Sequence, residues 1–154
     1  MDIWVVAVGK LRPYYRQAAD DYIRRLRRYA HIREHEVREA SRAPSPGAQR
    51  GEEAGRLEAR IPEGSTVLAL AREGTGWSSR EISRQLDRWL LQARPLSLLI
   101  GGSEGLDSGL IARSAARWSL GPLTFPHELA RVIALEQLYR AFTILRGEPY
   151  HKGV

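Results

Sequence analysis

The sequence contains no cysteine, which excludes disulfide bonds and thiolate metal sites. Long apolar runs are also missing, and no stretch approaches the roughly 20 apolar residues that a membrane-spanning helix needs. The amino terminus has a short apolar run with no basic segment before it, so we interpret it as a first β-strand and not as a signal peptide. Together these absences predict a cytoplasmic protein without a metal ion and without a membrane partner.

Lysine is almost absent, although the chain is strongly basic. Lys10 and Lys152 are the only lysines among 24 basic residues, and the formal net charge is +6. A basic surface favours polyanions, above all RNA and DNA. A strong preference for arginine over lysine often reflects the base composition of the genome. The charge alone therefore leaves nucleic-acid binding open.

Two short runs, Thr66–Ala71 and Leu96–Ile100, are apolar throughout. Strands of a parallel sheet that is covered on both faces have this character. Between them, Ser79–Gln92 carries its apolar residues on one helical face, with Ser78 or Ser79 as the N-cap. The order strand, helix, strand predicts an α/β fold with a parallel sheet flanked by helices.

The other predicted elements fit a single domain over residues 1–154. From Pro13 to Tyr29, apolar residues recur at three- and four-residue steps, which marks an amphipathic helix. Its opposite side carries arginines, which form either a solvated face or an RNA-facing stripe. The remaining elements are a strand at Asp2–Val8, an edge strand at Ile32–Glu39, a loop at Ser41–Gly47, a helix at Gln49–Arg60, a short helix at Ser108–Ala116 and a brief strand or loop at Arg117–Leu120.

The last predicted helix, about Pro126 to Arg146, has almost no fully polar face. A helix that is apolar nearly all round must be buried on several sides. One domain of this size does not easily surround a terminal helix, whereas a second copy of the chain could do so. The pattern therefore predicts a homodimer formed through this helix.

Three loops follow predicted strands, where open α/β sheets bind their ligands. They cover Arg72–Trp77, Gly101–Gly105 and Leu120–His127. In the second loop, glycine lets the backbone lie against a flat ligand and reach positive φ. Its spacing is GGxxG, which is neither a dinucleotide fingerprint nor a P-loop, and a tight turn explains it equally well. The third loop alternates apolar residues with glycine, proline and threonine, a wall that suits adenine, although a plain connection would also account for it.

A resemblance is carried by three segments: VVAVGKL, IGGSEGL and WSLGPLTFPHELARVIALEQLYRAFTILRGEPYHK. The motifs TFPHELARV, EQLYRAF and PYHK are their most specific parts. Together the segments closely resemble the ribosomal large subunit pseudouridine methyltransferase H family of the SPOUT superfamily, over essentially the whole chain. The resemblance implies a SPOUT-type α/β sheet with a C-terminal trefoil knot, a homodimer, and S-adenosylmethionine (SAM, S-adenosyl-L-methionine) as the methyl donor.

The resemblance also implies a reaction and a binding site. The reaction is methylation of N3 of a pseudouridine in 23S ribosomal RNA (rRNA), on the assembled ribosome. One departure is Arg72, because the family often has an acidic residue in this loop. Carried onto this chain, the family's SAM contacts fall at Leu70, Gly101, Gly102, Leu120, Gly121, Pro122, Leu123, Thr124 and Phe125.

N3 of pseudouridine is an imide nitrogen, which is a poor nucleophile until its proton is lost. Catalysis therefore needs in-line positioning and help with that proton. The candidate catalytic residues are Glu104, His127, Tyr150 and His151, with Tyr150 as a stacking or hydrogen-bonding partner. Two of them have structural alternatives, since Glu104 could brace the glycine turn and His127 could cap the last helix.

The tail Glu148–Val154 follows a helix stop at Gly147. We expect it to close over bound SAM and meet the pseudouridine, with a frayed end as the alternative. On the last helix, Arg131 and Arg140 could grip phosphate or pair with Glu136.

Two other classes of function stay open on the residues alone. The first is a non-catalytic ribosome-binding or assembly factor, for which the basic charge is sufficient; a test for methyl transfer separates it. The second is another nucleotide-using α/β enzyme, such as a small kinase. The missing P-loop lysine speaks against the kinase, and a binding screen of ATP against SAM would decide.

Overall fold

The computed structural model describes residues 1–152. All strand pairs are parallel, and the strand order in the sheet is β2-β1-β4-β3-β5. The predicted α/β fold with a parallel sheet flanked by helices is confirmed, and the trefoil knot stays a prediction. The elements are β1 (Asp2–Val8), α1 (Pro13–Leu26), β2 (His31–Val37), α2 (Pro46–Glu58), β3 (Thr66–Thr75), α3 (Ser79–Leu91), β4 (Leu96–Ile100), α4 (Ser108–Arg113), β5 (Ala116–Trp118) and α5 (His127–Leu145).

Alternating side chains of the strands build one hydrophobic core on each face of the sheet. In β1, Ile3, Val5 and Ala7 belong to one core, whereas Val6 and Val8 belong to the other, and all five are fully buried. Helices α1, α3 and α5 cover the first face, and α2 and α4 cover the second. Because both faces are covered, the central strands are apolar throughout, as predicted.

Helix α5 contacts both α1 and α3 over the first face of the sheet. Leu135 and Leu138 are fully buried there. Leu129, Val132 and Ile133 stay only half-buried within the chain. One chain therefore covers more of its terminal helix than the apolar pattern suggested, and a strip near the start of α5 stays partly exposed.

Two serines fix the beginnings of helices. Ser45 accepts a hydrogen bond from the amide of Ala48, and Pro46 occupies the first turn of α2, where proline is favoured. The helix therefore begins inside the segment predicted as a loop. Of the two serines considered for α3, Ser78 is the cap: its Oγ accepts from the amide of Glu81, whose carboxylate accepts from the amide of Ser78.

Two boundaries near the sheet edge differ from the prediction because they depend on pairing with distant residues. Strand β3 runs on to Thr75, which pairs with Trp118 of β5 after a register irregularity. Most of the predicted loop Arg72–Trp77 is therefore strand. Helix α4 ends at Arg113, and β5 begins at Ala116, which pairs with β3.

In the described part of the chain no helix is both long enough and apolar enough to cross a membrane. Residues 1–152 also contain no group of three or more His, Cys, Asp and Glu side chains that could hold a metal ion.

Candidate active site

Strand β3 and the loops that follow β4 and β5 line a cavity of about 470 Å³. They meet because parallel strands place their carboxyl ends at the same edge of the sheet. The first turn of α5 completes the wall with His127 and Ala130. Small-molecule sites typically have volumes of roughly 300–1,000 Å³ and mostly apolar linings, so this cavity has the size of a cofactor site.

Most of the residues predicted to bind SAM line this one cavity. Of the nine, Pro122 alone is not among the lining residues. Glu104 and His127, which were predicted as catalytic, line it as well. Sequence reasoning missed Ala130, although its position three residues after His127 on a helix is a signal that could have found it. The eight predicted residues that line the cavity are Leu70, Gly101, Gly102, Leu120, Gly121, Leu123, Thr124 and Phe125.

The two glycines after β4 are needed for the protein's own packing. A Cβ on Gly101 would lie 2.5 Å from the carbonyl carbon of Gly105, and one on Gly102 would lie 2.9 Å from Cγ1 of Val8. The packing of the loop and the core is thus sufficient to require these glycines, and their contact with a ligand stays a prediction. The positive φ predicted for this loop occurs at Gly105, where φ is +79°.

The loop after β5 presents backbone groups to the cavity. Ser119 fixes its beginning, because the Ser119 amide donates to the carbonyl of Thr75 over 2.9 Å and its Oγ accepts from the amide of Gly121 over 3.1 Å. Gly121 has a φ of +102° and open space where a Cβ would stand. Within residues 1–152, no group accepts a hydrogen bond from the amides of residues 123–125. These amides are free to bind a flat ligand with a polar edge.

Neither of the structural roles considered for Glu104 and His127 is present in the described chain. Pro126 is the N-cap of α5 and His127 is its first residue, so the capping interpretation of His127 is wrong. The Glu104 side chain is exposed and makes no hydrogen bond within the described chain, so it does not brace the glycine turn. Both side chains can therefore meet a ligand in the cavity.

Tyr150 and His151 lie away from the cavity of their own chain. The ring of Tyr150 packs edge-on against Tyr139 with the ring centroids 4.7 Å apart, and its hydroxyl donates to Glu136 Oε1 over 3.2 Å. His151 Nδ1 lies 3.1 Å from Arg140 Nη1. The tail was expected to close over bound SAM. In the structure it does not lie over the cavity of its own chain.

The separation is set by the length of α5. At a rise of about 1.5 Å per residue, Glu136 and Arg140 lie about 14 and 20 Å along the helix from His127. The end of the predicted tail, Gly153 and Val154, lies outside the described residues.

The chemistry open to the two tail residues is restricted. Burial, followed by the charge of Glu136, raises the pKa of Tyr150 to about 12. The phenol is therefore protonated at neutral pH and can donate a hydrogen bond or stack, but it does not act as a base. His151 Nε2 is buried and has no hydrogen-bond partner within the described residues.

The two arginines of α5 are both engaged within the chain. Arg131 is 1% exposed, and its Nη1 lies 2.5 Å from Glu36 Oε2 and 3.1 Å from Glu34 Oε2. A phosphate could not reach it, so that alternative is wrong. Arg140 pairs with Glu136 over 2.6 Å, which is the second of the two roles predicted for it.

The arginine stripe of α1 is largely neutralised by carboxylates. Arg16 binds both carboxylate oxygens of Glu34, over 2.6 and 3.0 Å. Arg24 and Arg25 both pair with Asp21. These pairs favour the solvated face over the RNA-facing stripe.

Comparison with known proteins gives consistent matches. The family described as predicted SPOUT methyltransferase matches residues 1–151. The ribosomal RNA large subunit methyltransferase H of Anaeromyxobacter dehalogenans (strain 2CP-C) is 44% identical over 154 residues, covering 99% of this chain and 100% of its own. The protein of the same name from Pseudomonas paraeruginosa is 39% identical over 155 residues, with the same coverage of both chains, 99% and 100%.

Among solved structures, a probable methyltransferase from Bordetella pertussis Tohama I aligns with a TM-score of 0.57 and 15% identity. The alignment covers 90% of this chain and 93% of that chain. At this identity the likeness concerns the fold, and it agrees with the parallel sheet described above.

Proposed function

Because the chain belongs to the SPOUT methyltransferase family, we propose that it transfers a methyl group from SAM to N3 of a pseudouridine in 23S rRNA. The relatives named ribosomal RNA large subunit methyltransferase H support rRNA as the substrate. The observation that carries the proposal is the cavity that eight of the nine residues predicted to bind SAM line together. The assembled ribosome is the proposed state of the substrate.

SAM is the cofactor predicted from the resemblance, and the family match confirms it. The cavity fits such a molecule in volume and in the character of its wall. Leu70 and Leu120 would contact the flat apolar part of adenine, and the free amides of residues 123–125 would bind its polar edge. Bound there, SAM supplies an electrophilic methyl group on a sulfonium.

The remaining task of the chain is to handle the proton of N3. Among the lining residues, Glu104 and His127 carry side chains of the kinds that act as general bases. We propose His127 for this role, because it is half-buried against the wall formed by α5, whereas Glu104 is exposed. A half-buried imidazole can approach the acceptor nitrogen with little competition from water.

The experiment that tests the function uses ribosomes from cells that lack the gene. Incubated with the purified protein and SAM, their 23S rRNA should gain one methyl group on a pseudouridine, located by nuclease digestion and mass spectrometry. Free 23S rRNA, large subunits and whole ribosomes, compared side by side, identify the state that is methylated. Ribosome binding without any gain of methyl would select the non-catalytic assembly factor.

We also propose that the chain forms a homodimer through the half-buried strip Leu129, Val132 and Ile133 of α5. Apolar surface of this kind gains free energy when a second copy covers it. If two α5 helices pair antiparallel, the end of one helix lies beside the beginning of the other. Tyr150 and His151 would then reach the partner's cavity, which they cannot do in their own chain.

Light scattering after size exclusion should report about twice 17.4 kDa at micromolar concentration. Replacing Ile133 by glutamate should shift the mass toward that of one chain, because a charge would be buried in the interface. Leu91→Glu, which adds the same charge at an exposed apolar residue of α3, is the matched control. A wild-type protein that elutes as a monomer contradicts the dimer.

A further inference from the structure

One basic and aromatic segment, which follows the carboxyl end of β1, has no role in the proposed reaction. It is the β1–α1 segment, residues Lys10–Tyr15. Tyr14 is 58% exposed, and the Arg12 side chain is 69% exposed. Arg12 Nη1 donates to the Tyr14 hydroxyl over 3.0 Å, and the rings of Tyr14 and Tyr15 lie 4.6 Å apart. Lys10 is exposed and forms no ion pair within residues 1–152.

The segment is fixed beside the cavity by the first turns of α5. Glu128 is 5% exposed, and its carboxylate accepts from the Arg12 amide over 2.7 Å and pairs with Arg12 Nε over 3.1 Å. One turn later, the buried Arg131 donates to the carbonyl of Gly9 over 2.9 Å. His127, which lines the cavity, directly precedes Glu128. The segment is therefore held against the part of α5 that also lines the cavity.

We propose that the β1–α1 segment binds the RNA strand that carries the target base. Tyr14 stacks on an unpaired base next to the pseudouridine, and Lys10 and Arg12 contact the neighbouring phosphates. Aromatic rings together with cations are the groups with which proteins bind single-stranded RNA. This assignment rests on the proposed function, because it takes the target to be an RNA base presented to the cavity.

The charge around the segment supports RNA over an apolar partner. Lys10 and Arg12 lie in the segment, and Arg72 lines the cavity. Two carboxylates lie near these cations: Glu128, which is buried and pairs with Arg12, and Glu104, which is exposed and lines the cavity. Lys10 and Arg72 form no ion pair within residues 1–152, so their charges are available to a polyanion that binds here.

The test compares Tyr14→Ala and Tyr14→Phe with the control Leu91→Ala. Leu91 is also a strongly exposed hydrophobic residue, at 81%, and it is the last residue of α3. Four quantities are measured: cosedimentation with ribosomes in the absence of SAM, the Kd for SAM, and the kcat and the KM for methyl transfer to ribosomes. Tyr14→Ala should weaken ribosome binding and raise KM about tenfold, the loss of one stacked base. Its kcat and its Kd for SAM should change less than about twofold.

Tyr14→Phe keeps the ring and should bind ribosomes within about threefold of the wild type. For the cations, Lys10→Glu should weaken ribosome binding and make it less dependent on salt, whereas Arg94→Glu, at the opposite edge of the sheet, should not. Wild-type ribosome binding by Tyr14→Ala overturns the proposal. So does a Tyr14→Ala protein that has become monomeric, because Tyr14 would then contact a second copy. Ribosome binding that responds to Tyr14 without methyl transfer by the wild type rejects the proposed function and retains the binding surface.

Discussion

Ala130→Phe should raise the Kd for SAM at least about a hundredfold, which is about 2.7 kcal/mol of binding free energy. Ala130 lines the cavity from α5, so the added ring would occupy the volume that the cofactor needs. The residue belongs to neither hydrophobic core, and phenylalanine in place of alanine costs less than about 1 kcal/mol in helix propensity. The protein should therefore fold normally and lose the cofactor. Calorimetric titration with SAM measures the effect.

The matched control is Ala112→Phe, which adds the same ring at an exposed helical position outside the cavity. It should bind SAM like the wild type, and Ala130→Ser should do so within about threefold because it adds a single atom. Thermal unfolding separates lost binding from lost structure. A folded Ala130→Phe protein with unchanged affinity would place the cofactor elsewhere.

A glycine substitution at the same site would be harder to interpret. From the sequence alone, Gly102→Val would be the obvious test of SAM binding, because a branched side chain does not fit in a loop that contacts a ligand. In the structure, however, even the first added carbon would lie 2.9 Å from Val8, which is fully buried in the core. The variant would disturb the packing of the protein, so lost binding would not identify a ligand contact. Ala130 avoids this difficulty because it adjoins open volume.

The sequence predicted those features that depend on local pattern or on a family motif. The apolar runs of β1 and β4 gave the bounds of these strands to the residue, because each strand lies in the middle of the sheet with both faces covered. The glycines and apolar residues after β4 and β5 predicted one cavity, because carboxyl ends of parallel strands must meet. The resemblance then identified which small molecule such loops hold.

Features that depend on distant pairs could not be predicted in this way. The extension of β3 to Thr75 requires pairing with Trp118. The link that fixes the β1–α1 segment joins Arg12 to Glu128, and the buried network of α5 joins Arg131 to Glu34. In each case the two partners are far apart in the sequence, and single-chain periodicity shows only that a residue is polar. A charged residue such as Arg131 therefore appeared to be a surface group until the fold placed it against carboxylates.

The position of the tail also depends on contacts that the sequence pattern does not show. It leads to the second prediction of a large loss of activity. Removing residues 150–154 should reduce methyl transfer to ribosomes at least about a hundredfold, while the Kd for SAM changes less than about threefold. The expected loss reflects the aromatic ring and imidazole of Tyr150 and His151, which are proposed to contact the pseudouridine at the partner's cavity. A truncated protein with full activity would show that the tail is only a frayed end.

Mixed dimers decide which cavity the tail serves. The Ala130→Phe chain has a blocked cavity and an intact tail, and the truncated chain has the reverse. Each homodimer should be inactive, but a mixed dimer has one intact cavity beside one intact tail if the tail acts across a two-fold interface. Co-expressed in equal amounts, the two chains should therefore recover about a quarter of the wild-type activity per chain, because about half of the dimers are mixed and each has one working site. If each tail served its own chain, no combination would pair an intact cavity with an intact tail, and the mixture would stay inactive.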